Sequence, residues 1–366
     1  MSQVEGSSRM NPVSRRIRVG VNGFGRFGMH LVRDWIQRRE SLGFDLVWVN
    51  EPMRSPSEIH AELVSDVVLG PFGASVGLEE SAWILEDGHR IRLSRERDVG
   101  SIPWEHEVDW VFECTGKFTD RKDASRHLRG DIERVFISAT SLSADRMVVL
   151  GVTEQDYDPR TDRLISYGSC TINAFMPIAQ RLHERFGILE SGVNVTHNTP
   201  IKDIQGPFGT ILRRTCTLEV VAPRLMPALE GRFFVNYHLV PYPGVSLIDF
   251  QFRLGSSPSA WEVRRELELA AEGGLAIHLG WADDFTRPER FVGHSASAVL
   301  VRESFKKAGD TIIFSAWFDN ENSAVRLNDL GHFAVRAEAG AQLPSAGLTI
   351  DRGARPSVPA AVEVMA

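Results

Sequence analysis

Cysteine is scarce in this sequence. The 366 residues include three cysteines, Cys114, Cys170 and Cys216. At these spacings they form neither a disulfide framework nor a pair of zinc ligands, so we expect no metal site and a reducing compartment. No apolar run approaches the roughly 18 residues of a membrane span. The segment Met1–Arg16 is polar and lacks the apolar core of a secretory signal. These absences favour a cytoplasmic protein with no membrane partner.

Positive charge is also in short supply. Lys and Arg number 41 against 48 Asp and Glu, so the formal net charge is -7 and the pI is near 5.9. Because nucleic acids and anionic membranes are bound through basic faces, we expect neither as a partner. The length and the 43% hydrophobic content are those of an ordinary globular chain of two domains.

A glycine-rich turn follows the first apolar strand. Arg18–Asn22 leads into Gly23-Phe24-Gly25-Arg26-Phe27-Gly28, and a helix with one apolar face comes next. This order is the one that the dinucleotide-binding fingerprint requires. Gly23 allows the tight turn, Gly25 lets the backbone approach a pyrophosphate, and Gly28 lets the helix pack closely on the strand. The stretch predicts a dinucleotide cofactor.

An acidic residue ends the second strand. The apolar run Leu46–Val49 is followed by Asn50 and Glu51. A carboxylate at this place accepts both ribose hydroxyls of NAD and repels the 2′-phosphate of NADP. The sequence therefore predicts NAD.

Short apolar strands alternate with helices through the first half. After the first two strands, further strands are predicted at 108–112, 134–137 and 147–151, with a helix rich in Lys and Arg after Gly116. The pattern predicts the α/β class, with an N-terminal Rossmann domain built on a doubly wound parallel sheet. Ligands bind at the carboxyl ends of such strands, where Gly25, Glu51, Thr115 and Ser138 fall.

The second half has longer, alternating strands and few helices, with one helix expected at Trp261–Ala271 and a last one at Asn328–Ala339. It predicts an α+β domain with a mixed or antiparallel sheet. We expect a flexible arm over 1–16, a cofactor domain over 17–168 completed by a helix at about 319–340, a second domain over 169–318, and a loosely ordered tail over 341–366.

Near the midpoint, a cysteine stands at the start of a predicted helix. Apolar residues from Ile172 to Phe186 recur at helical spacing directly after Ser169-Cys170-Thr171. The unpaired N–H groups and the dipole of a helix N-terminus favour the thiolate, which is the nucleophilic form. The alternative is a buried structural cysteine, since free cysteine is among the most buried residue types.

Together these stretches resemble the phosphorylating glyceraldehyde-3-phosphate dehydrogenase family, from Ile17 to about Ala339. Five motifs occur in the family's order and approximate spacing. They are Asn22 to Gly28, Asn50-Glu51-Pro52, Val108 to Thr119, Ser169-Cys170-Thr171-Ile172-Asn173, and Trp317-Phe318-Asp319-Asn320-Glu321.

The resemblance implies a covalent mechanism. Cys170 is the nucleophile, and His197, which follows at the family's interval, is the base. The thiolate attacks an aldehyde, His197 takes the hydroxyl proton as hydride passes to the nicotinamide, and a thioester remains. The thioester is then released to inorganic phosphate, as an acyl phosphate, or to water.

The resemblance also implies the ligand contacts and the assembly. The partners are a small anionic aldehyde, inorganic phosphate and further copies of the chain in a homo-oligomer, a tetramer in the family. The residues that correspond to the family's substrate contacts are Ser169, Thr171, Thr199 and Thr217. NAD contacts fall to Asn22, Gly23, Phe24, Gly25, Arg26, Phe27, Gly28, Glu51, Thr115, Gly116, Ser138 and Asn320.

The sequence departs from the family at the anion sites. Leu239 stands where the family has an arginine that clamps the substrate phosphate. Leu218 and Glu219 replace small residues of the loop that binds the second anion, and the stretch from His197 to Thr217 is shorter than in the family. Arg213 and Arg214, in that shortened stretch, are candidates to restore the positive charge.

Three alternatives to glyceraldehyde 3-phosphate oxidation remain at this point. The first is a paralogue that oxidises a phosphonate-, sulfonate- or carboxylate-bearing aldehyde. The second is a NAD-binding regulatory protein without turnover, and the third is a semialdehyde dehydrogenase of the aspartate type. The presence of both Cys170 and His197 argues against the second. The motifs around Cys170 and Trp317 argue against the third.

Overall fold

The computed structural model describes residues 15–199, 211–241, 244–319 and 322–340. The first half of the chain forms strands β1 (Ile17–Asn22), β2 (Phe44–Asn50), β3 (Ser65–Asp66), β4 (Gly70–Pro71), β5 (Val76–Glu79), β6 (Ala82–Leu85), β7 (Arg90–Ser94), β8 (Trp110–Glu113), β9 (Arg134–Ile137), β10 (Arg146–Met147) and β11 (Leu164–Ser166). The second half forms β12 (Ile188–Thr199), β13 (Leu212–Arg213), β14 (Phe233–Pro241), β15 (Ser246–Leu254), β16 (Leu279–Ala282), β17 (Ala298–Val301), β18 (Lys306–Ala308) and β19 (Thr311–Phe318). The α-helices are α1 (Arg26–Leu42), α2 (Pro56–Val64), α3 (Arg121–Ala124), α4 (Cys170–Phe186), α5 (Thr217–Leu225), α6 (Ala260–Glu272) and α7 (Asn322–Glu338).

The first sheet has the order β10-β11-β9-β8-β1-β2-β7-β6-β5. Its strands from β10 to β7 pair in parallel, and the β5–β6–β7 edge is antiparallel. Apolar side chains are buried on its central strands, as expected where helices cover a parallel sheet on both faces. The predicted Rossmann-type sheet is confirmed, and the carboxyl ends of β1, β2, β8 and β9 lie along one edge, the cofactor edge.

The second sheet is mixed, as predicted. Its order is β13-β14-β12-β15-β19-β17-β16, with β18 paired to β19. Pairs β12–β14 and β16–β17 are parallel, whereas β15 is antiparallel to both β12 and β19. One face packs under α4, where Phe175, Phe250 and Phe252 stack with centroids 5.8–6.3 Å apart. This inner face also carries the catalytic candidates.

The last helix of the chain returns to the first sheet. Asn328 of α7 donates hydrogen bonds to the Leu31 carbonyl (3.0 Å) and to Asp34 (2.9 Å), both on α1. Gly331 lies so close to β8 that a Cβ there would stand 2.7 Å from the ring of Phe112. α7 thus completes the core beneath the first sheet, although it follows the second sheet in sequence.

Four element predictions differ from the structure. The strand expected over 147–151 ends at Met147, because the next residues turn through Gly151 in the left-handed region (φ 79). The basic helix after Gly116 is reduced to α3 and a 3-10 turn. α5 is an unpredicted helix, and α7 begins six residues earlier than expected, at Asn322. Within the described residues, the helices are too short or too polar to cross a bilayer.

Candidate active site

The nucleophile turn joins the end of β11 to the start of α4. Ser169 is the N-cap of α4, and its hydroxyl accepts the Ile172 N–H at 3.3 Å. The Asn173 side chain donates to the carbonyls of Tyr167 and Ser169, both at 3.0 Å. These bonds fix Cys170 at the first position of the helix, where the sequence predicted it, and the residue is half-buried.

His197 faces the thiol from β12. Its Nε2 lies 3.6 Å from the Cys170 Sγ, and the ring is buried. Its Nδ1 lies 2.7 Å from the Asn198 carbonyl oxygen. A carbonyl can only accept, so the proton of the neutral ring is on Nδ1 and Nε2 is left to accept the thiol proton. The pair therefore has the geometry and the tautomer that a thiol–imidazole couple needs.

Tyr237 is a site residue that the sequence reasoning missed. Its ring centroid lies 5.3 Å from that of His197, and the Phe318 ring lies 5.8 Å from His197 on another side. In the parallel β12–β14 register Tyr237 stands opposite Val195, so it shares the face of His197. Burial raises the pKa of its phenol, and the Cys170 thiolate raises it further. Alternation along β14 predicts that the strand has two distinct faces. Only its pairing with β12 shows which of these faces borders the thiol.

The start of α5 meets the start of α4. Cys216, the N-cap of α5, has its Sγ 3.6 Å from the Thr171 hydroxyl. The Thr217 hydroxyl is 3.2 Å from that of Thr140, on the loop after β9. Two helix N-termini therefore converge near Cys170, and both present backbone N–H groups that favour an anion.

The residues that depart from the family have different environments. The β12–β14 register places Leu239 opposite His197 and Thr199 opposite Pro241, so Leu239 and Thr199 lie on the face that borders the thiol. Leu218 is fully buried in the core beneath the second sheet. Glu219 is exposed, with its N–H bonded to the Cys216 carbonyl. Of the three replacements, Leu239 is therefore the one that the structure puts beside His197.

Arg213 and Arg214 separate onto different faces. Arg213 pairs with His238 across the β13–β14 ladder, one position away from Leu239, and its guanidinium donates to Asn236 at 3.3 Å. Since neighbouring strand residues alternate, Arg213 lies on the face away from His197. The Arg214 N–H donates to the Tyr237 carbonyl at 3.1 Å, so Arg214 is the neighbour of Tyr237. Of the two arginines, Arg214 is the one whose backbone bonds to the strand residue that faces His197.

The glycine turn forms an open cradle at the cofactor edge. Gly23 adopts φ 96, and a Cβ on it would stand 2.8 Å from the Thr115 side chain. A Cβ on Gly28 would lie 2.2 Å from the Gly23 carbonyl oxygen. By contrast, Gly25 is exposed with nothing within 4 Å, and the first turn of α1 has neither an acidic residue nor a capping side chain. These residues fit a pyrophosphate, because the helix N-terminus is open to an anion.

Glu51 lies behind the cradle with both carboxylate oxygens engaged. One oxygen accepts the Phe24 N–H at 3.0 Å and also faces Arg54 at 3.3 Å. The other accepts the Met53 N–H at 3.0 Å. The side chain is buried at the end of β2, next to the glycine turn, where it was expected. The guanidinium of Arg54 also pairs with Glu62 and the Phe24 carbonyl.

The remaining cofactor candidates line the same edge. Thr115 and Gly116 follow β8, and Ser138 follows β9 with its N–H bonded to the Glu113 carbonyl at 2.9 Å. Asn22 is buried, so its side chain makes its contacts within the protein interior. Phe27 packs edge-on against Tyr167. Phe24 is buried too, and Arg26 lies 3.9 Å from Asp66. Asn320 lies outside the described residues.

Comparison with known proteins is consistent with this geometry. Residues 17–121 match the family model described as glyceraldehyde 3-phosphate dehydrogenase, NAD binding domain. Residues 169–320 match the C-terminal domain of the same enzyme. The glyceraldehyde-3-phosphate dehydrogenase of Geobacillus stearothermophilus is 30% identical over 87% of this chain and 98% of its own length. Glyceraldehyde-3-phosphate dehydrogenase 2 of Streptomyces avermitilis is 32% identical, with the same coverage.

The predicted family resemblance is thus confirmed on both halves of the chain. The relatives match almost end to end, and the turn that holds Cys170 and the cradle around Gly25 both fall within the matched regions. The chain belongs to the glyceraldehyde-3-phosphate dehydrogenase family, and it is an NAD-dependent oxidoreductase.

Proposed function

We propose that this protein oxidises a small anionic aldehyde through a thioester on Cys170 and releases the acyl group to inorganic phosphate. The contact of 3.6 Å between Cys170 and His197, with the imidazole in the accepting tautomer, carries this proposal. It also argues against a regulatory protein without turnover, since binding NAD alone needs no such pair.

The residues divide the chemistry between them. The Cys170 thiolate adds to the aldehyde carbon, and the thiol proton held on His197 Nε2 passes to the resulting alkoxide. The hydroxyl formed in this way returns the proton to Nε2 as the carbon is oxidised. Bound NAD, held by the glycine turn and Glu51, would supply the acceptor for the hydride of this carbon. The carbon is thereby oxidised to a thioester, and attack by phosphate expels the thiolate and leaves an acyl phosphate. The convergent starts of α4 and α5 support phosphate over water as acceptor, because both helix ends favour an anion.

The substrate's own anionic group is proposed to sit differently from that of glyceraldehyde 3-phosphate. Leu239 beside His197 cannot make the bidentate contact that an arginine makes with a phosphate. Tyr237 places a phenol on the same face of the sheet. Arg214, next to Tyr237, is the proposed cation, whereas Arg213 is proposed to have no part in binding because it faces the other way.

A substrate screen tests this proposal. NADH formation is followed with and without phosphate, using glyceraldehyde 3-phosphate, erythrose 4-phosphate, unphosphorylated glyceraldehyde and phosphonoacetaldehyde. We expect an anionic aldehyde to exceed glyceraldehyde, a requirement for phosphate, and a kcat/KM for glyceraldehyde 3-phosphate below about 10⁵ M⁻¹s⁻¹, an ordinary enzyme value. A higher value would show that the phosphate clamp is rebuilt. NAD binding without turnover on any aldehyde would favour the regulatory alternative.

The adjacent arginines provide a matched pair of variants. Losing one charge-assisted contact costs about 1.5–3 kcal/mol. Arg214→Ala should therefore lower kcat/KM for the best anionic aldehyde roughly 10- to 150-fold. It should leave glyceraldehyde unaffected. Arg213→Ala is the control and should stay within about twofold. The reverse ranking would remove Arg214 from the site.

A homo-oligomer is proposed from the family membership. The face of the second sheet opposite His197 carries half-buried polar residues, Asn194 and Asn236 among them, and Phe234, which is 45% exposed. Phe234 leaves apolar surface exposed on this part of the face, so a second copy of the chain is its proposed partner. Sedimentation equilibrium that gives the mass of a single chain at micromolar concentration would contradict the proposal.

A further inference from the structure

A buried carboxylate links the two turns that form the cofactor edge. Glu113, the last residue of β8, is 1% exposed. Its Oε1 accepts the Thr115 N–H at 2.8 Å and the Thr115 hydroxyl. Its Oε2 accepts from Asn22 Nδ2 at 2.6 Å and faces His127 Nε2 at 2.9 Å. An ionised carboxylate has about four lone-pair positions. All four are used here, two for each oxygen.

Each oxygen serves a different turn. Asn22 comes directly before the left-handed Gly23, and Thr115 comes directly before the left-handed Gly116. The turns are in close contact, because a Cβ on Gly23 would stand 2.8 Å from the Thr115 side chain. A shift of either turn would therefore stretch bonds to one oxygen of Glu113 and move the other turn with it.

His127 is the fourth hydrogen-bond partner of Glu113. It is fully buried, and its Nδ1 has no hydrogen-bond partner among the described residues. A proton on Nδ1 would be a buried donor without an acceptor, which is costly. The ring is therefore neutral, with its proton on Nε2, and it donates to Glu113. The Asn22 amide is oriented as a donor in the same way, because its carbonyl oxygen accepts from Asn50 at 2.9 Å.

We propose that Glu113 is a positioning residue for NAD. It sets the separation of the Asn22–Gly23 and Thr115–Gly116 turns through four hydrogen bonds, without touching the cofactor itself. The inference rests on the NAD binding of the family and not on the identity of the aldehyde. Its test is equilibrium binding of NAD followed by tryptophan fluorescence, which needs no substrate and no turnover.

Glu113→Gln is the central variant. The new amide has the same shape, but it points its N–H groups at existing donors, so one turn loses its acceptor. We expect the Kd for NAD to rise at least 10-fold. Asn22→Asp alone should be worse, because it places two carboxylates in contact.

The exchange of the two groups should rescue binding. In the double variant Asn22→Asp/Glu113→Gln, the amide at position 113 donates to the carboxylate at position 22. His127 then carries its proton on Nδ1, where no described residue accepts it, so we expect the rescue to fall short of wild-type affinity. We expect the double variant to bind NAD at least 10-fold more tightly than Asn22→Asp. Failure of this rescue, or an unchanged Kd in Glu113→Gln, would overturn the proposal.

A stability control distinguishes a positioning role of Glu113 from a general loss of stability. Ile91→Val removes one buried methylene from β7 of the same sheet. It should lower the Tm without changing the Kd. Should Glu113→Gln not fold, His127→Gln and His127→Leu replace it, since the first keeps a donor towards Glu113 and the second removes it. The Leu variant should then bind NAD more weakly, and equal values would refute the role assigned to Glu113.

Discussion

At the scale of single residues, the three cysteines have different environments. Cys170 stands at a helix N-terminus 3.6 Å from an imidazole. Burial raises the pKa of the Cys114 and Cys216 thiols, which disfavours their thiolates. We predict that limited iodoacetamide at neutral pH modifies Cys170 first, as mass spectrometry of the digested protein would show.

The variant Cys170→Ala tests the function of the same thiol. It should abolish aldehyde oxidation because no thioester can form, and it should leave the Kd for NAD within a few-fold. Earlier labelling of Cys114 or Cys216 would mean that another thiol is the activated one.

A second residue-scale prediction concerns the choice of cofactor. Glu51 repels a 2′-phosphate, and it also holds the Arg54 guanidinium at 3.3 Å. Glu51→Ser should remove this repulsion and leave the Arg54 guanidinium, which Glu62 and the Phe24 carbonyl still hold, beside the 2′-phosphate. The ratio of kcat/KM for NADP to that for NAD should therefore rise at least 10-fold. Adding Arg54→Ala should cancel most of the gain. A wild-type enzyme that uses NADP as well as NAD would contradict the assignment of Glu51.

The positions of single residues were predictable where one motif contains them. Cys170 and the three glycines of the turn could be named because their neighbours in sequence specify their conformation. The contacts of Tyr237 and Glu113 could not be predicted, because they involve segments that are distant in sequence. Arg213 and Arg214 are equivalent in the sequence, and only the β13–β14 register distinguishes them.

At the scale of elements, β14 borders the thiol. Its alternate residues Tyr237 and Leu239 face the thiol, next to His197. We predict that Leu239→Arg raises the kcat/KM for glyceraldehyde 3-phosphate by about 10-fold or more, since one charge-assisted contact is worth about 1.5–3 kcal/mol. Steady-state kinetics would check this.

The same strand offers a control for charge alone. His238→Arg adds a cation one residue away, on the opposite face of β14, and should leave these kinetics nearly unchanged. An equal gain from both variants would point to long-range attraction of the substrate and not to a contact beside His197.

Elements were predictable when a long periodic pattern marks them, as in α1 and α4. α5 has nine residues and an internal Pro223, so no such pattern predicts it. The expected strand at 147–151 contains apolar residues that are indeed buried, but in a turn. The apolar pattern thus predicted the burial of these residues correctly, but it did not predict their backbone conformation.

At the scale of the whole molecule, one carboxylate connects the end of α7 to the first sheet. Burial raises the pKa of Glu338 to about 7, although its partner Arg134 on β9 lowers it. The unfolded value is about 4.3. Between these values the folded state binds more protons than the unfolded state, so this group's contribution to the unfolding free energy falls as pH rises from about 4.5 to 7.

The prediction is a pH-dependent effect of Glu338→Gln, which mimics the protonated form. Relative to wild type, the variant's Tm should be higher at pH 8 than at pH 5 by roughly 2 °C or more. Calorimetry at the two pH values measures the difference. Glu79→Gln, at an exposed carboxylate paired with Arg90, is the control and should show no such dependence. A larger Tm gain at pH 5 would reverse the assigned sign.

The return of α7 to α1 has a consequence for synthesis on the ribosome. Buried residues of α7, Leu327 and Phe333 among them, belong to the same core as Val21 and Phe112. The strands of the first sheet leave the ribosome early, but one side of their core stays uncovered until α7 has been made. The second sheet, whose strands lie between these two parts of the chain, can pair its own strands in that interval. We therefore expect the half of the protein that is translated first to be the half that finishes folding last.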